Sequence, residues 1–115
     1  MCSSDLIIAS MGAYQGQPVL QPATVERAWQ EEIYVHDYIF GAPVRYGLGF
    51  GLASNELPLP WEHSMHWGGT GGSSVFMAPE VGAAFAYTPN RFIPGRSVMD
   101  HRGEALRDAV ISCLA

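Results

Sequence analysis

The run from His66 to Ser74, HWGGTGGSS, holds the residues whose types and spacing most directly suggest chemistry. Four glycines within five positions leave exposed backbone N–H groups, which could cradle a phosphate. A P-loop also needs a lysine after its last glycine, and this chain contains no lysine. A dinucleotide-binding loop opens a helix, whereas these glycines run into a predicted strand. The pattern therefore argues against a phosphate site, and a tight strand crossing remains a simple structural alternative.

The histidines before the glycines are candidate metal ligands. His63 and His66 form an H-x-x-H pair with Glu62 beside it. A zinc site would need a third ligand and a helix that brings both histidines to one face, as in H-E-x-x-H. The two prolines of LPLPW argue against a helix at this point. We therefore predict neither a metal nor a cofactor.

The serines after the glycines are candidate nucleophiles. Ser73 and Ser74 lie in no G-x-S-x-G sequence, and a chain without lysine cannot contain S-x-x-K. No histidine base is fixed near them by sequence, so a self-contained hydrolase is not supported.

The secondary-structure elements predicted around these residues indicate an α+β fold. Strands are predicted at Met65–Gly69, Ser73–Ala78 and Ala83–Thr88, with hairpin-turn chemistry in APEVG. The alternating glycines of RYGLGFGLAS predict a strand, YVHDYIFGAPV reads as a connection, and NELPLPWEHS as a loop. No βαβ alternation occurs, so we expect an antiparallel sheet with a helix packed on one face.

Helices are predicted near both ends. Residues 6–13 look like the tail of one helix, and LQPATVERAWQEE predicts another that begins at Pro22. A third helix is predicted from Arg102 to Leu114, with Asp100 as its N-cap. Apolar residues recur at helical spacing in this third helix, which predicts that Cys113 is a buried core residue.

Composition limits the partners. At 115 residues the chain is expected to be one domain, and a hydrophobic fraction of 48% allows a sizeable core. The net charge is −5 and the six basic residues, all arginine, are scattered, which argues against nucleic acid. No apolar run is long enough for a membrane span. The two cysteines, Cys2 and Cys113, leave the compartment undecided.

The stretch from Tyr46 to Asn90 resembles the C-terminal part of serine hydrolases related to class C β-lactamases, a family that includes penicillin-recognising peptidases and esterases. Its third active-site box is Lys-Thr-Gly, followed by a strand ending in Pro-Glu and another ending in Asn. HWGGTGGSSVFMAPEVGAAFAYTPNR repeats this order, with Trp67-Gly68-Gly69 at the box position. YGLGFGL resembles a segment that precedes the box. The resemblance implies a partial β-lactamase/transpeptidase-like fold.

The resemblance also implies roles for individual residues. The backbone N–H of Thr70 would be one oxyanion-hole donor, and the nucleophilic serine's amide would be the other. Trp67, Gly68, Gly69 and Asn90 would contact substrate, with the glycines letting it lie along the strand edge. Tryptophan cannot replace the charged lysine that holds a substrate carboxylate, which favours the esterase branch acting on a neutral substrate.

The family's nucleophile box, Ser-x-x-Lys, and its second box, Tyr-x-Asn, do not occur in the chain. The resemblance therefore implies the C-terminal portion of a serine hydrolase, inactive alone, whose small ester or amide substrate is turned over only with the missing N-terminal half. A fragment of a β-lactamase or D-alanyl peptidase is one alternative. A stand-alone, non-catalytic binding or interaction module is another.

The opening hexapeptide MCSSDL is what the end of a common sequencing adapter encodes when GTG is read as the start codon. We therefore expect residues 1–6 to be a non-native leader and residues 7–115 to be the C-terminal part of the hydrolase domain.

Overall fold

The computed structural model describes residues 3–93 and 100–114. Within them the elements follow one another as α1 (Ser3–Ala9), β1 (Ala13–Tyr14), β2 (Gln17–Pro18), α2 (Pro22–Ala28), β3 (Ile33–Asp37), β4 (Ala42–Tyr46), β5 (Gly51–Leu52), β6 (Met65–Gly68), β7 (Ser74–Ala78), β8 (Ala83–Tyr87) and α3 (His101–Leu114). Strands β3 to β8 form one antiparallel sheet in sequence order, while β1 and β2 pair separately. The predicted α+β class is confirmed, including the C-terminal helix on one face of the sheet.

Strands β6, β7 and β8 confirm the three predicted strands to within one residue at each end. Met65 pairs with Met77, and Met77 pairs with Ala84 across the next strand. The turn between β7 and β8 is a single 3-10 turn, Pro79–Val81, closed by Gly82 in the left-handed conformation. Because strand residues alternate between faces, these pairs put one row of methionines on one side of the sheet.

The core lies on the methionine side of the sheet. Met65, Met77 and Leu52 are buried there against Val25 and Ala28 of α2. Helix α1 packs on β7 and β8 from the same side. The predicted helix at Pro22 is confirmed, since proline occupies its first turn and needs no N–H partner there.

Helix α3 covers the opposite face. A Cβ on Gly103 would lie 2.9 Å from the Oγ of Ser74 and 3.0 Å from the Tyr87 ring, so the helix begins in very close contact with β7 and β8. The carboxylate of Asp100 accepts a hydrogen bond of 2.8 Å from the backbone N–H of Arg102. Asp100 therefore caps the helix, as its sequence position predicts.

The predicted burial of Cys113 is wrong, because this residue is exposed. The side of α3 that approaches the sheet carries Gly103, Arg107, Val110 and Ile111, spaced at i, i+4, i+7 and i+8. The apolar stripe used for the prediction lies on another side of the helix. Of its members, Val110 alone lies on the sheet side, and the other five are exposed: Ala105, Leu106, Ala109, Cys113 and Leu114.

The connection predicted for residues 34–44 is also wrong, since β3 and β4 form a hairpin there. Pro43 pairs with His36 on one side, and β5 pairs with β4 only through Tyr46 and Gly51. The proline therefore sits where β4 has no second neighbour and no ladder hydrogen bond is lost. The strand predicted across residues 45–54 is interrupted, because the chain reverses between Tyr46 and Gly51.

The N-terminal residues join the fold from Ser3 onward. Ser3 to Leu6, which belong to the predicted leader, lie in α1. Met1 and Cys2 lie outside the described residues. Among the helices described, none is long and apolar enough to cross a membrane.

Candidate functional site

The glycine-rich run forms a tight turn between β6 and β7. The N–H of Gly72 donates to the carbonyl of Gly69 at 2.8 Å, and the N–H of Gly69 donates to the carbonyl of Ser73 at 2.8 Å. Gly72 has a φ of +92°, a backbone conformation that residues other than glycine rarely adopt. These bonds describe a β-turn with Thr70 and Gly71 at its centre, followed by a left-handed glycine, a common three-residue hairpin loop.

Thr70 stands at the apex of this turn and is exposed. In the described part of the chain its backbone N–H donates to no backbone carbonyl, whereas both neighbouring turn bonds are made by Gly69 and Gly72. A rigid turn that presents a free N–H to solvent can act as a hydrogen-bond donor to a bound oxygen. The geometry is thus compatible with the oxyanion role that the resemblance implies for Thr70, which stays a prediction.

Trp67 lies in β6 directly before the glycines. It pairs with Val75 of β7. The side chain is 47% exposed, although tryptophan is usually well covered in a folded domain. Its ring centroid lies 5.8 Å from that of Tyr46. Trp67 therefore offers an open aromatic surface beside the glycine turn.

A cavity of about 290 Å³ lies next to this tryptophan. Its apolar walls come from three residues of the β3–β4 hairpin, from the loop before β6 and from β6 itself: Phe40, Val44, Tyr46, Leu57 and Trp67. Gly68 also lines the cavity, so the cavity opens beside the residue that leads into the turn. A concave, mainly apolar cavity with a few polar groups is the usual form of a small-molecule site.

Polar contacts hold the cavity walls in place. The Arg45 guanidinium donates to Glu31 at 2.8 Å and to the carbonyl of Ala53 at 2.8 Å. The Tyr34 hydroxyl donates to Glu56 at 2.9 Å. These bonds fasten the loop after β5 to the β3–β4 hairpin, which fixes both sides of the cavity.

The cavity carries no free positive charge among its described lining residues. Arg45 is the cation of the lining, and Glu31 and the Ala53 carbonyl already occupy its guanidinium. Glu56 and Glu104 add negative charge to the same lining. A carboxylate on a ligand would therefore be repelled and left without a partner, whereas a neutral apolar group would be accepted.

Asn90 is exposed in the segment after β8. Phe92, two residues further on, lies 3.8 Å from the position a Cβ on Gly71 would take. The segment that carries Asn90 therefore runs beside the glycine turn. The structure brings together the segments of all the residues singled out from the sequence: Trp67, Gly68, Gly69, Thr70 and Asn90.

His66 is a partly buried neighbour of the site. Burial lowers the pKa of His66 to about 4, and nearby Arg107 lowers it further, although the Leu52 carbonyl partly offsets both. Its ring lies flat against β5, since a Cβ on Gly51 would come within 2.4 Å of the imidazole. His66 is thus neutral at pH 7 and fills space between two strands.

The lowered pKa of the partly buried His66 predicts a loss of stability in mild acid. The unfolded imidazole takes up a proton near pH 6.5, whereas the folded one does so near pH 4. Between these values the unfolded chain binds more protons, so the free energy of unfolding is highest above pH 6.5 and falls as the pH is lowered. We expect a loss of about 2 kcal/mol from this group between pH 7 and pH 5, measured by urea unfolding.

His66→Gln should remove most of this pH dependence, whatever it does to stability at pH 7. His36→Gln is the control for the substitution itself, because His36 is exposed on β3 and forms no ion pair among the described residues. Equal slopes in the wild type and His66→Gln would contradict the account.

The two histidines of the H-x-x-H pair lie in different surroundings. His63 contacts Glu80 at 3.1 Å and stacks on Trp29, while His66 lies in the neighbouring cavity wall. Among residues 3–93 and 100–114, no three metal-ligating side chains come together.

Sequence reasoning missed the second wall of the cavity. Phe40, Val44 and Tyr46 belong to the hairpin that was read as a connection. A signal was available, because Ile33 and Val35 alternate with polar residues before a turn that ends in glycine. Pro43, which lies inside β4, concealed it.

Three solved structures share this fold. A family VIII carboxylesterase superposes with a TM-score of 0.84 at 25% identity, over 95% of this chain and 29% of its own. A penicillin-binding protein homolog from Caulobacter crescentus superposes with a TM-score of 0.80 at 23% identity, over 94% of this chain and 29% of its own. EstA from Arthrobacter nitroguajacolicus Rue61a superposes with a TM-score of 0.75 at 23% identity, over 94% of this chain and 30% of its own.

No protein-family model and no curated protein matches the sequence. The three structures are β-lactamase-like serine hydrolases, and this chain spans under a third of their length. The chain therefore has the fold of the C-terminal portion of such enzymes, and the resemblance predicted from the glycine-rich run is confirmed.

Proposed function

We propose that the chain is the oxyanion- and substrate-binding part of a serine hydrolase that cleaves neutral carboxylic esters. The observation that carries the proposal is the glycine turn: within residues 3–93 and 100–114 the Thr70 N–H donates to no backbone carbonyl, and it lies beside an apolar cavity whose described lining has no free cation. The likeness to a family VIII carboxylesterase supports the same reaction class.

The proposed reaction divides its steps between this chain and the N-terminal part of the same protein. A serine of that part attacks the ester carbonyl, its proton passes to a nearby base and then to the departing alcohol, and water hydrolyses the acyl-serine. The negative charge that develops on the carbonyl oxygen is held by the Thr70 N–H and by the amide of the nucleophile. One such donor stabilises the transition state by about 2.7–4 kcal/mol.

The cavity beside Trp67 would take the acyl or alcohol group of the ester. Tyr46 and Trp67 provide aromatic surface, and each buried CH₂ of the substrate gains about 0.8 kcal/mol. The carboxylates of Glu56 and Glu104 disfavour the anionic substrates that penicillin-recognising enzymes hold with a lysine. An uncharged ester of medium chain length is the substrate class that this lining supports.

The N-terminal part would also complete the fold. Strand β8 ends the sheet, and its outer edge pairs with no strand among the described residues. The exposed apolar stripe of α3, with Leu106 47% exposed, leaves a second uncovered surface. Edges and apolar faces of this kind are normally paired or covered in soluble domains.

The test is an assay of the full-length protein against p-nitrophenyl butyrate and a chromogenic cephalosporin. We expect hydrolysis of the ester with kcat/KM at least about 10⁴ M⁻¹s⁻¹, the lower end for enzymes, and far slower β-lactam cleavage. Faster cleavage of the β-lactam would favour the β-lactamase alternative. A folded, monodisperse chain without hydrolytic activity would favour the interaction module.

A further inference from the structure

A buried ion pair stands at the start of α3. The Asp100 side chain is 4% exposed, and its oxygens receive the Arg102 guanidinium at 2.8 Å through Nε and at 2.6 Å through Nη2. The same carboxylate accepts the Arg102 backbone N–H. Arg102 holds the pKa of Asp100 far below its usual range, so the pair stays charged throughout the neutral range. Neither residue lines the cavity beside Trp67.

The glycine turn rests on this pair. A Cβ on Gly72 would lie 2.8 Å from the Cβ of Asp100 and 2.9 Å from its Oδ2, so the backbone at Gly72 touches the carboxylate directly. Gly72 closes the turn through its bond to Gly69. Any shift of Asp100 therefore moves the turn whose apex is Thr70.

The same arginine holds the segment that carries Asn90. Nη2 of Arg102 donates to the carbonyl of Arg91 at 2.9 Å. Phe92 then packs beside Gly71. One ion pair thus contacts both segments that the candidate site needs, the glycine turn and the residues after β8.

We propose that Asp100 and Arg102 are positioning residues that fix the Thr70 N–H and the Asn90 segment relative to the reacting ester. The inference rests on the proposed ester hydrolysis for its catalytic consequence, but its structural part is independent of any activity. A donor that must meet an oxyanion at hydrogen-bond distance loses its effect when its loop moves by about 1 Å.

The catalytic test uses the full-length protein with Asp100→Asn, Arg102→Gln and the double variant. We expect kcat for p-nitrophenyl butyrate to fall about 10- to 100-fold in each single variant, with KM changed less than about threefold, because the oxyanion forms only in the transition state. The double variant should lose no more than the worse single variant, since both changes break one contact.

Asp108→Asn is the matched control. Asp108 also pairs with an arginine of α3, Arg107, at 2.7 Å, but its side chain is 64% exposed and lies away from the turn. Its kcat should stay within about twofold of the wild type, because among the described residues the Asp108 carboxylate bonds only to Arg107 and not to the turn. The proposal would be overturned if the loss of kcat in the double variant were the product of the two single losses. It would also be overturned if Asp108→Asn lost as much kcat as Asp100→Asn.

The structural test is amide hydrogen exchange of the β6–β7 turn, Gly69 to Ser73. Asp100→Asn should speed exchange of the Gly72 amide at least about tenfold relative to Asp108→Asn, since the bonded turn opens more often. Unchanged exchange in Asp100→Asn would overturn the proposal even if kcat fell. If the full-length protein hydrolysed no ester, the proposed function would fail, and this measurement would still decide the positioning role.

A second pair of variants decides the question if Asp100→Asn does not fold. Gly72→Ala drives a methyl group into Asp100 at a strained φ, whereas Gly71→Ala meets only Phe92 at an ordinary 3.8 Å. Gly72→Ala should therefore lower kcat and speed turn exchange, and Gly71→Ala should do neither. Equal behaviour of the two variants would overturn the proposal.

Discussion

Thr70→Pro should lower kcat for ester hydrolysis by about 10²–10³, with the fold preserved. Proline has no N–H, so the substitution deletes the proposed oxyanion donor. Thr70 is the first central residue of the turn closed by Gly69 and Gly72, a position where proline is favoured. The turn therefore persists while the donor is lost, which makes this change more selective than any substitution of the glycines. The measurement is kcat and KM for p-nitrophenyl butyrate in the full-length protein.

Thr70→Ala is the matched control, because it removes the side chain and keeps the N–H. We expect its kcat to stay within about threefold of the wild type, since the resemblance assigns the role to the backbone alone. Circular dichroism and the thermal midpoint establish that both variants are folded. If Thr70→Pro retained wild-type kcat in a folded protein, the oxyanion role of this N–H would be contradicted.

Trp67→Ala should lower kcat/KM for p-nitrophenyl hexanoate about tenfold. Trp67 lines the cavity and is 47% exposed, and loss of a partly covered aromatic contact corresponds to about 1.5 kcal/mol. The loss should be smaller for the acetate, which has few CH₂ groups to bury. The ratio of kcat/KM for the hexanoate to that for the acetate is therefore a sharper measurement than the activity on one ester.

Tyr38→Ala controls for the loss of an exposed aromatic side chain. Tyr38 is 94% exposed at the tip of the β3–β4 hairpin and does not line the cavity. Its chain-length profile should match that of the wild type. A profile that stays unchanged in Trp67→Ala would mean that the cavity beside Trp67 does not hold the substrate.

The sheet strands after residue 64 could be predicted from the sequence because their signals are local. The run SVFMA is short and mainly apolar, as in a buried strand, and Pro79 and Gly82 mark the turn that follows it. The β3–β4 hairpin could not be read in the same way, since Pro43 is tolerated only because β5 leaves that side of β4 open. That fact depends on the pairing of three strands and not on any single segment.

Cys113 shows the same limit on a helix. A period of 3.6 residues identifies α3, but two apolar sides are present and the sequence does not say which one meets the sheet. Gly103 decides it, because the absence of a Cβ lets that side approach Ser74 and Tyr87. The stripe with Cys113 stays exposed.

The candidate site was predictable in its glycine turn but not in its supports. The resemblance identifies Trp67, Gly68, Gly69, Thr70 and Asn90, and the structure brings their segments side by side. The contact between Gly72 and Asp100 joins residues 28 positions apart and has no signature in the sequence. The cavity wall at Tyr46 and the partial burial of His66 also have no signature in the sequence, because they depend on how β4, β5 and β6 pair.

The most direct test of the central claim is to sequence the native locus upstream of the codon for Ile7 and to read the open reading frame. The account predicts a frame that continues upstream through Tyr-x-Asn to Ser-x-x-Lys, with a different native codon run in place of MCSSDL. The protein it encodes should then hydrolyse p-nitrophenyl esters. A native frame without a Ser-x-x-Lys box would contradict the claim that this chain is part of a serine hydrolase.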